Sequence, residues 1–106
     1  MITENNKIIA KFMGATLTKD LQIMYPVYEG DSSYVKDLKY HLDWNWLMEV
    51  VEKIESLGYR VTIVRHICRI DLTEESKLII SEDIKKIEAV YTVCFKFIQW
   101  YNENKI

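Results

Sequence analysis

Residues 43–59 read DWNWLMEVVEKIESLGY, and they decide the fold because a helix start, a buried face and a helix stop are all legible in them. Asp43 stands at the N-cap, where its carboxylate accepts from free first-turn amides and its charge suits the positive end of the helix dipole. Trp44, Leu47, Val50, Val51, Ile54 and Leu57 recur at spacings of three and four, which stacks them on one helical face. Glu49, Glu52, Lys53 and Glu55 fall mostly on the other side. Gly58 follows the last apolar residue as a left-handed stop that a residue with a Cβ would find strained. The spacing predicts a helix with its apolar face in the core, and Tyr59 opens a new element.

That element contains a β-branched run, Val61-Thr62-Ile63-Val64, and stays apolar at every second position on at least one face to Leu72. The pattern predicts a single central strand from Arg60 to Leu72. Thr73 to Ser76 reads as a polar turn, and Lys77 to Ile80 as a short strand pairing back. A long helix follows, from Ser81 or Asp83 to Asn102. Ile87, Val90, Tyr91, Cys94, Phe97, Ile98 and Tyr101 form its buried face, widened by Ala89, Val93 and Trp100.

Before residue 43 the signals are weaker. Thr3 to Gly14 reads as a short helix capped by Thr3 or Asn5, with Ile8, Ile9, Phe12 and Met13 as its stripe. Residues 15–28 alternate as one or two strands, and Lys19-Asp20 can turn a hairpin. Glu29 to Ser33, EGDSS, is a loop by composition. Tyr34 to Leu42 fits a strand or a helix equally well. Helix, strands, helix, strands, helix without Gly-rich turns is an α/β (α+β) arrangement, a small mixed or antiparallel sheet covered by three helices and sandwich-like. Three layers satisfy it, and so do two layers with a dimer partner over the open sheet face.

Composition narrows the class. The chain has 106 residues, a length suited to one domain with one modest core. It is 49% hydrophobic with one proline, which describes a folded protein. A formal charge of −2 gives no general attraction to nucleic acid or to an anionic membrane. No apolar run is long enough to span a bilayer, and Met1-Ile-Thr-Glu lacks the features of a signal peptide, so a cytoplasmic protein is expected. Cys68 and Cys94 are expected to be reduced core residues. So many apolar and aromatic residues in so short a chain also predict self-association, with a symmetric dimer as its form.

WNWLMEVVEKIESLGY with its VTI strand, IEAVYTVCFKFIQWYNEN at the close and NKIIAKFMG near the start resemble small proteins of phages and phage-derived elements of gut bacteria, the phage α-β-α sandwich domain group. The resemblance covers most of the chain apart from the middle loop region, and its motifs are packing motifs. It implies a sandwich fold and a phage-type origin, in the host cytosol if phage-encoded. It implies no catalytic residue.

Candidate sites are few. On a continuous strand Arg65 and Arg69 share one face, and two guanidinium forks there suit a phosphate or carboxylate; the plainer reading pairs them with Asp71, Glu74 and Glu75. His66 and Cys68 share the opposite face, and with His41 they sketch a zinc site that lacks a fourth ligand; a packed histidine and a buried thiol account for them as well. Tyr25, Tyr28, Tyr34, Tyr40, Trp44 and Trp46 crowd one third of the chain, and Trp46 falls off the stripe of its helix. Such residues serve a core, a protein interface or a stacked base. Glu49, Glu52 and Glu55 read as a solvated helix face.

No cofactor is expected. The preferred expectation is a non-enzymatic accessory protein that binds, and in doing so sequesters, a small anionic or nucleotide-like host signal through Arg65, Arg69, Trp46, Tyr40 and His66. The alternative is a module that docks on and inhibits a host protein, and a small hydrolase ranks last for want of residues. A ligand pocket requires convergent, sheltered arginines with an aromatic in stacking reach. A protein interface requires an open, flat patch with the charges at its rim.

Overall fold

The computed structural model of the chain describes residues 2–14, 16–17, 22–24, 32–34, 38–72 and 77–104. In order these form α1 (Ile2–Phe12), β1 (Thr16–Leu17), β2 (Gln22–Met24), β3 (Ser32–Tyr34), α2 (Trp44–Ser56), β4 (Arg60–Val64), β5 (Ile67–Asp71), β6 (Leu78–Glu82) and α3 (Lys86–Asn104). The strands make two antiparallel sheets, β1-β2-β3 and β4-β5-β6. The protein is α+β.

Local chemistry sets the ends of α2. Asp43 is extended and accepts the Asn45 amide at 2.8 Å, and Gly58 follows at φ 101°, where only glycine is unstrained. Leu47, Val50, Val51 and Ile54 are buried. The ends of the expected stripe are not: Trp44 and Leu57 are each 39% exposed, because Trp44 opens the helix and Leu57 is its C-cap. Trp46, one turn before Val50, packs against the core instead.

The expected single strand from Arg60 to Leu72 is a hairpin. Val64 pairs with Ile67, leaving Arg65 and His66 as a two-residue turn. Among the described residues Arg65 is the one non-glycine with positive φ, at 55°. Positive φ at the first turn position only is the type II′ pattern, whose twist suits a tight hairpin and whose preferred residue there is glycine. The turn also changes which residues share a face. Val61, Ile63, Cys68, Ile70 and Ile79 lie together against the helices. Arg60, Thr62, Val64, Ile67, Arg69, Asp71, Leu78, Ile80 and Glu82 lie on the opposite side.

Three further boundaries move. Ser32 and Ser33 belong to β3, where backbone pairing with Met24 and Ile23 overrides a loop-like composition. Ser81 and Glu82 pair with Cys68 and Ile67, so β6 runs on and α3 starts only at Lys86. Residues 38–43 are irregular, and the expected turns at Lys19-Asp20 and at Thr73 to Ser76 lie outside the described residues.

α3 lies on β5 and β6, α2 on β4, and α1 on α3. Ile9, Leu47, Val50, Ile54, Cys68, Ile70, Val90, Cys94, Phe97 and Ile98 form one core with no exposure. At one end Phe12 meets Phe97 and Tyr101 edge-on at 6.2 and 5.9 Å, and Tyr59 meets Phe97 and Trp100 at 4.9 and 6.0 Å. Lys53 lies 5.1 Å above the Phe12 ring. The C-terminal halves of all three helices therefore meet there. Among the described residues no helix is long and apolar enough to cross a membrane.

Candidate functional site

Among the described residues, helices cover one face of β4-β5-β6 and leave the other open. On the other face Val64 is 57% exposed, Ile67 36%, Leu78 45% and Ile80 53%. Strand register arranges this face in three rows: Arg60, Asp71 and Leu78, then Thr62, Arg69 and Ile80, then Val64, Ile67 and Glu82. The four aliphatic residues form a diagonal band, with Arg60 at one corner of the face and Glu82 at the opposite one. Arg69 Nε lies 3.3 Å from Asp71 Oδ1, and His66 Nε2 lies 3.1 Å from Glu82 Oε2. These side chains are solvated, so the pairs orient them more than they stabilise the fold.

The five expected ligand residues fall in three places. Arg65 and His66 are exposed on the hairpin turn, Arg69 is in the middle of the outer face, and Tyr40 and Trp46 lie across from each other with ring centroids 5.1 Å apart. The two arginines do not share a straight strand face, since the turn between them reverses the chain. Tyr40 is 2% exposed and bonded within the fold, so it offers no open stacking surface. The three zinc candidates also part: Cys68 is buried in the sheet core, His66 faces Glu82, and His41 faces Asn6. Among the described residues no group of three or more His, Cys, Asp or Glu can hold a metal ion. Glu49, Glu52 and Glu55 are exposed.

One polar cluster has no counterpart in the sequence reading. Asn6 on α1 is 2% exposed and accepts from the Tyr91 hydroxyl at 2.9 Å. Its amide nitrogen lies 3.1 Å from His41 Nδ1 and donates to the Leu38 carbonyl at 3.4 Å. With that nitrogen turned towards it, His41 Nδ1 is the acceptor and the ring proton sits on Nε2. Burial raises the Tyr91 hydroxyl from its ordinary 10.0 to about 12, so it stays a neutral donor. The available signal was an Asn three residues before Ile9 and seven before Met13, within the apolar stripe of α1. The network holds α1, residues 38–41 and α3 together; nothing in it is arranged to attack a substrate.

Both thiols are buried and free. Loss of water raises Cys68 from 9.0 to about 11 and Cys94 further, with the Cys68 charge adding to the latter. Thiols held protonated in this way are poor nucleophiles.

Comparison with protein-family models, with curated protein sequences and with solved structures finds no match to this chain.

Proposed function

We propose that the protein is a non-enzymatic, phage-type accessory module that docks on a host protein through the outer face of β4-β5-β6. The observation that carries this reading is the face itself: four exposed aliphatic side chains in a diagonal band, flanked by Arg60, Arg69, Asp71 and Glu82. Exposed aliphatic area with an arginine at its middle and further charges at its corners combines the apolar contact and the arginine enrichment of protein interfaces. Arg65 adds weight, because it sits where a type II′ turn favours glycine and backbone strain of this kind clusters at functional sites. The small-anion reading loses the shared strand face that it was argued from, since Arg65 lies on the turn and Arg69 on the sheet face.

The experiment is affinity capture from the native host with wild-type protein and with Val64→Glu and Ile67→Glu. The wild type retains a defined partner, both face variants lose it, and Glu52→Arg, on the exposed side of α2, keeps it. Capture unaffected by the face variants would refute the reading. So would a nucleotide or other small anion released on denaturing the purified protein, with thermal stabilisation by that compound lost in Arg65→Ala/Arg69→Ala.

A further inference from the structure

We propose that the open edge of β6 pairs antiparallel with β6 of a second copy, about a two-fold axis through Ile80, to form one continuous six-stranded sheet. This pairing enlarges the outer face but stands independently of the docking function.

The edge is defined by the hydrogen bonds that β6 already makes. Leu72 N donates to the Lys77 carbonyl at 2.8 Å, and Asp83 N donates to the His66 carbonyl at 3.1 Å. Alternation along an antiparallel strand then turns the backbone groups of Ile79 and Ser81 towards β5 as well. The amides and carbonyls of Leu78, Ile80 and Glu82 point the other way. β6 is the last strand of its sheet, and among the described residues no hydrogen bond reaches these groups. Three donors and three acceptors in a row are a template for a further strand. The usual protections are missing too: LIISE has no proline, and its single charge is the terminal Glu82.

A second copy fits this edge in a specific way. With the two-fold axis at Ile80, the residues whose groups point outward face one another, Ile80 against the partner's Ile80 and Leu78 against the partner's Glu82. Every free amide then meets a free carbonyl. The next pair outward at each end sets Lys77 opposite the partner's Asp83. That is a non-hydrogen-bonded pair, where cross-strand side chains come closest and opposite charges attract. Sliding the register one way puts Lys77 opposite the partner's Ser81, and sliding it the other way puts Lys77 opposite the partner's Lys85. Charge therefore selects the centred register, and a peptide of another sequence would lack this match.

Sedimentation equilibrium between about 5 and 200 µM, the range in which weak dimers form, tests the inference. The wild type shows a concentration-dependent dimer. Ile80→Pro removes only an outward-facing N–H and is tolerated on an edge; it keeps the circular dichroism spectrum and weakens the dimer by about tenfold or more. Lys77→Glu and Asp83→Lys each weaken it, and an equimolar mixture regains the wild-type affinity because the heterodimer restores both charge pairs. In the wild type, hydrogen exchange at the Leu78, Ile80 and Glu82 amides slows as concentration rises, a readout that needs no variant. A monomer throughout the range, an undiminished dimer in Ile80→Pro, or a mixture that regains nothing would each overturn the pairing. Val64→Glu leaves the edge intact, so failure of docking and failure of pairing are read separately.

Discussion

Tyr91→Phe removes one oxygen from the core and leaves the shape of the ring in place. In the wild type that hydroxyl donates to Asn6 Oδ1 at 2.9 Å, and Asn6 is 2% exposed. Water cannot replace the lost donor, so the variant buries an unpaired acceptor, at a cost of about 1–3 kcal/mol. Taking the middle of that range, about 2 kcal/mol lowers the melting temperature of a domain this size by about 10 °C. Asn6→Ala strips the Tyr91 hydroxyl, the Leu38 carbonyl and His41 Nδ1 of their shared partner and costs more. Because the two residues act through one bond, the double variant loses about 1 kcal/mol less than the sum of the singles. Urea unfolding followed by tryptophan fluorescence gives all four stabilities, with Trp46 packed beside Tyr40 as the reporter. A Tyr91→Phe protein within about 0.5 kcal/mol of wild type, or strict additivity, would refute the claim that this network is buried and coupled.

Arg65→Gly relaxes the positive φ of the hairpin turn and raises stability by about 1 kcal/mol in chemical denaturation; if Arg65 serves docking, partner capture falls in the same variant. Neither thiol reacts with a disulfide reagent in the native protein at neutral pH, and both react after unfolding. Cys68 has its folded-state value raised from 9.0 to about 11, so the unfolded thiol ionises first. Its contribution is complete below about pH 9 and is lost as pH rises through the folded value, which appears as a declining denaturation midpoint between pH 9 and 11. Phe97→Ala empties the centre of the aromatic cluster, where Phe12, Tyr59, Trp100 and Tyr101 all meet that ring, and costs about 3–5 kcal/mol by calorimetry.

Elements whose signals are local were legible in the sequence. Asp43 and Gly58 bracket α2 because a cap and a left-handed stop act on their own helix and need nothing distant. The β4-β5 hairpin was hidden for the converse reason. Its turn residues, Arg65 and His66, carry no turn signature, and β-branched residues continue on either side, so the run reads as one strand. That one error placed the two arginines together on a single strand face. β3 was obscured in the same manner, since Ser32 and Ser33 become strand residues only through pairing with β2. The bare outer face could not be read at all. Apolar residues occupy both faces of β4 to β6, and only the position of α2 and α3 decides which set is covered. Asn6 was legible in principle as a polar residue within an apolar stripe, but its partners are 32, 35 and 85 residues away.

Those separations have a consequence for how the chain assembles. α2, β4, β5, β6 and α3 are consecutive, and each packs on a neighbour close in sequence, so residues 44–104 can organise with little loop closure. α1 rests on α3, at the far end of the chain. Closing so long a loop carries an entropic cost that must be met before any native contact rewards it. The Asn6–Tyr91 bond therefore forms late, after α3 is in place. During synthesis α1 has β1 beside it to pack on from the start, but its seat on α3 is completed only after residues 86–104 have been made, so the N-terminal and C-terminal helices of this core are joined by the slowest of its closures.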